Sequence, residues 1–597
     1  MAIQSNFPAI KPSLLLDFAN TKQLDPRITF TRASTATFYN GVTTAMAEQN
    51  LFLQSQTFTT TWLFGRSTIT GNTVVAPDGT TTGSTLTSTD NTPLTYQAKP
   101  TSSSGTLSCY IKKGTSDFAF IYVDNPSLVG NVGYFNINTG VVGSFGGAIT
   151  GVSIVSVGNG WYRCIANFSG VSGTNVGIGL CDADNNTNCT VGRTIFLWGA
   201  QLEQRSAVTA YTATTTQAIT NYIPVLQTAA SGVARFDNNP TTGESLGLLI
   251  EESRTNLVLR SDDYANASWT KTNASIDSNT IVAPDGTLTG DKLVEDTATG
   301  NHAVQQGGIT ISASTTYTVT TYAKAAGRDW LFILDNNNPS AVQAYFNVST
   351  GALGTVGGSA TATITSVGNS WYRCSVTFAT GPSQSSINLI IRTASANGTN
   401  SYTGNGFSGL FLWGTQVELG AFATSYIPTV ASQVTRAADA ASMTGTNFST
   451  WYNQGEGTLY TETRALSDTI GDVSNGLSIG LTAGSASSMA LLMDTRTPQS
   501  GTFALLNNSV STGSVSVNTT MLGGSRRMGA AYATNNVIMA VGGVLSTADT
   551  STVIPTGTQL SIGLYPFNTS LFDSGYVQKI AYYPIRVTNT QLQALTS

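Results

Sequence analysis

Few of these 597 residues carry charge: 27 Lys and Arg against 32 Asp and Glu, or 10% of the chain. A soluble globular protein carries about 25%. With a net charge of −5 and scattered cations, there is no basic footprint for nucleic acid or an anionic membrane surface. Histidine is nearly missing, and the single His302 rules out any site built on two imidazoles, HExxH metalloproteases included. Five cysteines are too few for a disulfide scaffold. Long apolar runs are missing too. Leu14-Leu15-Leu16 is the longest early one, too short for a signal-peptide core or a membrane span. Helical periodicity is confined to Thr588–Leu595, where Thr588 and Gln591 have capping-box spacing and Leu592 and Leu595 share a face.

What the chain does have is glycine (60 residues), threonine, serine and a 40% apolar share, enough to build cores at three to five domains for this length. It also has a long internal repeat. Asn50-Leu51-Phe52-Leu53 matches Asn256-Leu257-Val258-Leu259, and Val75-Ala76-Pro77-Asp78-Gly79-Thr80 matches Val282-Ala283-Pro284-Asp285-Gly286-Thr287. Trp161-Tyr162-Arg163-Cys164 returns as Trp371-Tyr372-Arg373-Cys374, and Phe196-Leu197-Trp198-Gly199 as Phe411-Leu412-Trp413-Gly414. Order is kept at an offset of 206 to 215 residues, which is a duplicated domain rather than a solenoid of 20–50-residue units.

Each copy reads as short alternating strands such as Thr315–Tyr322, punctuated by Asn-Gly, Asp-Gly and Asn-Thr-Gly turns. The prediction is an all-β protein of tandem antiparallel β-sandwiches: two homologous jelly rolls followed by a sandwich of another subtype. The expected divisions are 1–47, an N-terminal docking segment; 48–216, sandwich 1; 217–430, sandwich 2 with a lead-in hairpin; and 431–597, the third sandwich. Arg32, Arg235 and Arg436 open the blocks at near-equal spacing in similar contexts. They are expected to clamp neighbouring blocks by pairing with carboxylates or carbonyls.

Three stretches carry a resemblance: Phe30–Thr37, Gly247–Leu257 with its Leu-Leu-Ile-Glu-Glu-Ser-Arg-Thr-Asn run, and Leu-Trp-Gly-Ala-Gln-Leu-Glu at 197–203. They resemble bacteriophage fibre and head-spike proteins. The paired domains are similar to carbohydrate-binding-module-like jelly rolls. The tail, from Gly457-Thr458-Leu459-Tyr460 to Tyr582-Tyr583-Pro584, resembles a laminin-G or concanavalin-like lectin sandwich. The likeness runs from Ile28 onward, although the first copy has Ala45-Met46-Ala47-Glu48-Gln49 in place of the Gly-Leu-Leu-Ile-Glu-Glu lead-in. It implies a homotrimeric virion protein, assembled in the host cytoplasm, with its N-terminal segment nearest the other virion proteins. Residues 1–27, with Phe7-Pro8 and Lys11-Pro12 and no turn rhythm, fit such a docking peptide.

Candidate sites are sparse. Alternation along Trp371–Phe378 puts Tyr372, Cys374, Val376 and Phe378 inward, and Trp371 and Arg373 on the other face. An aromatic beside an arginine there is either a sugar-stacking platform or a cap at the sandwich end. Trp330, which replaces Phe118 of the first copy, with Asp335 and Asn336 beyond its strand, completes the glycan-contact set. Asp182, Asp184, Asn186 and Asn188 alternate like the start of a calcium loop, but no turn Gly or closing Glu follows, and no metal or cofactor is expected. The flanking Cys181 and Cys189 are spaced for a hairpin disulfide. Cys164 and Cys374 are expected as inert core thiols. His302 is expected at the surface or in a capping role. Glu251 and Glu252 point to opposite faces of a strand and cannot flank one glycosidic bond; Glu203 and Glu418 are expected to be structural. These features favour a non-enzymatic fibre or spike that attaches to host surface glycans. The alternatives are a decoration or adaptor protein that binds only virion partners, and a polysaccharide-degrading tail spike.

Overall fold

A computed structural model describes residues 11–98, 103–124, 130–338, 342–466, 478–483, 488–496, 499–507, 510–518, 525–563 and 574–597. The chain is all-β, a set of tandem antiparallel sandwiches. The two repeat copies have the same strand order. In the first, one sheet runs Ser67–Val74, Gly83–Ser88, Thr194–Glu203, Gly105–Lys113, Trp161–Phe168, Ile149–Ser156. In the second it runs Ala274–Ile281, Gly290–Glu295, Gly409–Leu419, Thr316–Ala326, Trp371–Ala379, Thr361–Gly368. A six-stranded partner sheet closes each sandwich.

The sequence pattern explains the packing. Cys164, Ala166 and Phe168 enter the first core, and Cys374, Val376 and Phe378 the second, as alternation requires. The repeated motifs hold equivalent corners. Asn50 Nδ2 donates to the carbonyls of Ala200 and Thr212, and Asn256 Nδ2 to those of Thr415 and Ile427. Glu203 accepts from the amide and hydroxyl of Thr209, and Glu418 from those of Thr424. The glycine of each Leu-Trp-Gly motif, Gly199 or Gly414, has φ of +61° or +62° where the strand register shifts, and its missing side chain leaves room for Tyr110 or Tyr322.

The third sandwich corrects the expected divisions. Leu14–Asp17 pairs with Gly575–Tyr583 in its eight-stranded sheet, and Thr29–Thr31 pairs with Ala440–Thr444 in its seven-stranded sheet. Leu14, Leu16 and Phe18 lie in its core, because alternation in the short apolar run aims both leucines inward. The strands Leu14–Asp17 and Thr29–Thr31 are therefore part of the third sandwich and not of a separate N-terminal segment; Phe7-Pro8 lies outside the described residues. The lead-in hairpin, Arg235–Asn238 with Ser245–Ile250, also joins the eight-stranded sheet and not sandwich 2. Finally, Ala36–Asn50 pairs with Ile219–Ala229 in a long two-stranded arm that links the sandwiches. The C-terminal helix Asn589–Thr596 begins with the anticipated capping box, and Leu592 and Leu595 are buried beneath it.

Candidate functional site

The expected sugar platform is buried, partly against the arm. The arm's Tyr39, Ile223 and Leu226 pack with Trp371, Trp413, Tyr322 and Tyr426 in one apolar cluster. Trp371 is fully buried, and its indole N–H donates to the Val282 carbonyl at 3.2 Å. Trp161 is held in the same way by Val75. Trp371 therefore presents no face to a ligand. It is on the predicted side of the strand, but residues 281–283 of its own sandwich and apolar arm residues pack on that side. Trp161 is as buried in the first copy with no arm residue in its cluster.

Arg373, two residues on, lies where the cover ends. Its guanidinium sits 5.6 Å above the Tyr322 ring, and Nη2 donates to the Thr424 carbonyl at 2.5 Å. It lines a cleft of about 520 Å³ at the junction of sandwich 2, the arm and the third sandwich. One wall is the exposed threonine row Thr361, Thr363 and Thr365; the other includes Asp237, Asn238 and Tyr576. Tyr39 contributes a buried hydroxyl with no hydrogen-bond partner among the described residues, and Arg373 a buried Nε–H in the same condition. Burial pushes the Tyr39 phenol up, keeping it a neutral donor. Asp237 accepts from the Tyr39 and Asn238 amides at 2.7 and 3.0 Å and from the Tyr576 hydroxyl at 3.1 Å. Burial pushes its carboxyl up to about 6 despite those donors. Gly41, at φ +73°, lets the arm turn against this wall, since a Cβ there would meet the Asn238 amide at 2.5 Å.

Beneath the cleft the three block-opening arginines converge. Arg32 reaches Asp439 at 3.0 Å; Arg235 bridges Glu251 at 2.7 Å and Asp439 at 2.5 Å; Arg436 reaches Glu251 at 3.3 Å. Every one of these side chains is at most 1% exposed. Arg235 also donates to the Thr37 carbonyl of the arm and to Ser425 of sandwich 2. Burial alone would raise the Glu251 carboxyl; Arg436, Arg235 and the Ser425 hydroxyl and amide overcome it and hold it at about 2. The clamp is thus one shared ion cluster rather than three separate ones.

The other candidates lie elsewhere. Trp330 is half-buried on the opposite sheet of sandwich 2, against Gly354. Asp335 is buried, its carboxylate taken by the amides of Asn388 and Asn337 and by Gln384, which removes it as a rim acceptor. Asn336 is exposed beside it. In the acidic loop, Asp182 accepts from Thr190 and Asp184 from Ser144, so their oxygens diverge. Cys181 and Cys189 are free buried thiols, as are Cys164 and Cys374. His302 is not at the surface: it is fully buried between the Asn273 and Tyr402 carbonyls, capping a sheet end. Sequence reasoning missed Tyr39, Asp237 and Asp439. Asp237, two residues after Arg235, and Asp439, three after Arg436, carried the only available signal.

No family model matches the chain, and no curated protein matches it. Among solved structures, it is similar to the CBM22-1–CBM22-2 tandem domain of Paenibacillus barcinonensis Xyn10C at 10% identity, over 63% of this chain and 97% of that one, with a TM-score of 0.19. It is similar to domains LG4-5 of the mouse laminin alpha1 chain at 12% identity, over 48% and 90%, with a TM-score of 0.16. Trypanosoma rangeli sialidase is similar at 10% identity, over 94% and 98%, with a TM-score of 0.21. The fold assignment itself rests on the strand orders and cores described above.

Proposed function

We propose that this chain is a non-enzymatic virion protein, a fibre or spike, that attaches to host surface glycans through the junction cleft. The observation that carries the reading is the pair of buried, unpartnered donors, Tyr39 Oη–H and Arg373 Nε–H, lining a cleft of about 520 Å³. Ligand pockets run to about 300–1,000 Å³, and a small movement of each side chain toward a bound polyhydroxylated ring would give both donors acceptors. The hydroxyl-rich wall of Thr361, Thr363 and Thr365 offers further hydrogen bonds at the mouth.

The test is Tyr39→Phe. Among the described residues its hydroxyl bonds nothing, so its removal should leave the melting curve in place. Binding of a panel of neutral mono- to tetrasaccharides, measured by calorimetry, should weaken about 2–12-fold. A variant that binds like wild type, or a wild type that binds no saccharide, would sink the reading.

A polysaccharide-degrading spike is the second reading, favoured by one observation. Asp237 and Glu251 both line the cleft, and their carboxyls are shifted in opposite directions, a pattern acid–base pairs share. Against it, Glu251 is bound by Arg235, Arg436 and Ser425, which leaves it no freedom to attack an anomeric carbon. Release of reducing ends from a bound polysaccharide would decide for the enzyme.

The same reading takes the protein to be a homotrimer. It also takes the N-terminal segment to contact other virion proteins; residues 1–10 of that segment lie outside the described residues. Light scattering should give three times the 62.3 kDa chain mass; a monodisperse monomer at micromolar concentration would rule the trimer out.

A further inference from the structure

On the far side of sandwich 2 from the cleft, the outer face of the partner sheet carries an arginine with no acidic partner among the described residues. Arg392, on Ser386–Ala394, lies between Ala303 and Phe332 of the neighbouring strands. Phe332 is stacked on Tyr345 at 4.1 Å and 20°, and the Arg392 guanidinium stands 6.0 Å above the Phe332 ring. Its one hydrogen bond within the described residues is a long one, Nη1 to Asn400 Oδ1 at 3.4 Å, and its Nε–H is buried without a partner. Among the described residues no carboxylate acts on it, and burial depresses its ionisation. A half-buried guanidinium with five donors and so little to bond is an incomplete ion pair.

The duplication supplies a control inside the same chain. In the first copy the aromatic floor is kept as Phe120 and Tyr134, but Gly179 faces Phe120 in place of the arginine. There the Phe120 ring lies over Gly179, so close that a Cβ would meet it at 2.1 Å. The first copy fills this spot with its own ring, whereas the second has a cation there and the larger Trp330 one row along.

We propose that this face of sandwich 2 binds the carboxylate of an acidic saccharide, a uronic or sialic acid, through Arg392. The flat guanidinium fork matches a carboxylate in two parallel hydrogen bonds. Half-buried Trp330 offers a stacking edge for the sugar ring, and Gln305, on the row next to Arg392, an amide for its hydroxyls. Those last two features favour a sugar over an acidic peptide, which has no ring to stack and few hydroxyls to bond. The site is separate from the cleft and does not depend on it.

The test uses the whole protein, with oligogalacturonate and oligomeric N-acetylneuraminic acid as probes and their carboxyl-reduced forms as neutral controls. Wild type should bind the acids at least tenfold tighter than the reduced forms, and less tightly as salt rises. Arg392→Met, which keeps the stem but not the charge, should lose that preference; Arg392→Lys, with charge but no fork, should keep part of it. Near-UV circular dichroism checks folding, and the lysine variant carries the test if the methionine variant does not fold. Tyr39→Phe should leave acid binding unchanged, which separates this site from the cleft. Equal affinity for acid and reduced forms, or an unaffected Arg392→Met, overturns the proposal. Poly-glutamate binding as tight as the oligogalacturonate overturns the saccharide assignment.

Discussion

Arg235→Ala is expected to destabilise the protein by about 3–5 kcal/mol, the usual cost of removing one partner from a buried ion pair. Glu251 and Asp439 would stay buried while losing bonds of 2.7 and 2.5 Å, and the arm and sandwich 2 would lose their contacts through Thr37 and Ser425. For a sandwich of this size the melting temperature should fall by roughly 6–20 °C, and solution scattering should show a looser particle. An unchanged melt and unchanged scattering would remove the clamp. The cluster also has an acid limit. Glu251 is held at about 2 in the folded state against an ordinary 4.5. Its contribution, on the order of 3 kcal/mol, is therefore present above pH 4.5 and lost as pH falls through about 2. Glu251→Gln should flatten that acid loss while lowering stability at neutral pH.

Deleting residues 1–33 should be more damaging still to the third sandwich. It removes Leu14, Leu16 and Phe18 from the core, together worth roughly 5–9 kcal/mol of buried apolar surface. It also strips a strand from each sheet. Calorimetry should show the cooperative transition of the third sandwich vanish while those of the two jelly rolls persist, and protease should cut after residue 440 first. A milder version, Phe18→Ala, should cost about 3–5 kcal/mol. If the truncated protein melts as the full chain does, the N-terminal strands are ornamental.

How much of this was legible beforehand depends on the distance over which each feature is written. Features contained within one strand could be read: the inward set Cys374, Val376 and Phe378 and the Thr588–Gln591 cap are matters of local period and spacing. The three arginines could be read as a set because the duplication repeats their context. Their convergence on one Glu251–Asp439 cluster could not, since nothing local ties Arg32 to Asp439, 407 positions away. Alternation puts Trp371 on the correct side of its strand, but what packs on it, residues 281–283 and the arm of Ala36–Asn50 with Ile219–Ala229, lies far from it in the sequence. Ile223-Pro224-Val225-Leu226 and Tyr39 are apolar, but two register shifts break the alternation along the arm, so no regular stripe marks its buried face. The cleft was illegible for the same reason: Tyr39, Asp237 and Arg373 come from three parts of the chain, and only the arm brings them together.

The pairing of Leu14 with Tyr582 also sets a timetable. A ribosome adding about 5–20 residues per second makes the first of these strands roughly half a minute to two minutes before its partner. Both jelly rolls have time to fold in that interval, while Leu14, Leu16 and Phe18 wait without a sheet. A nascent chain halted before residue 575 would hold two finished domains and an unpaired apolar strand, a state that invites chaperones or a neighbouring nascent chain to occupy the vacant edge. Synthesis of the C-terminal residues thus works as the closing of a clasp, and the interval before it is when this protein is most exposed to misassembly.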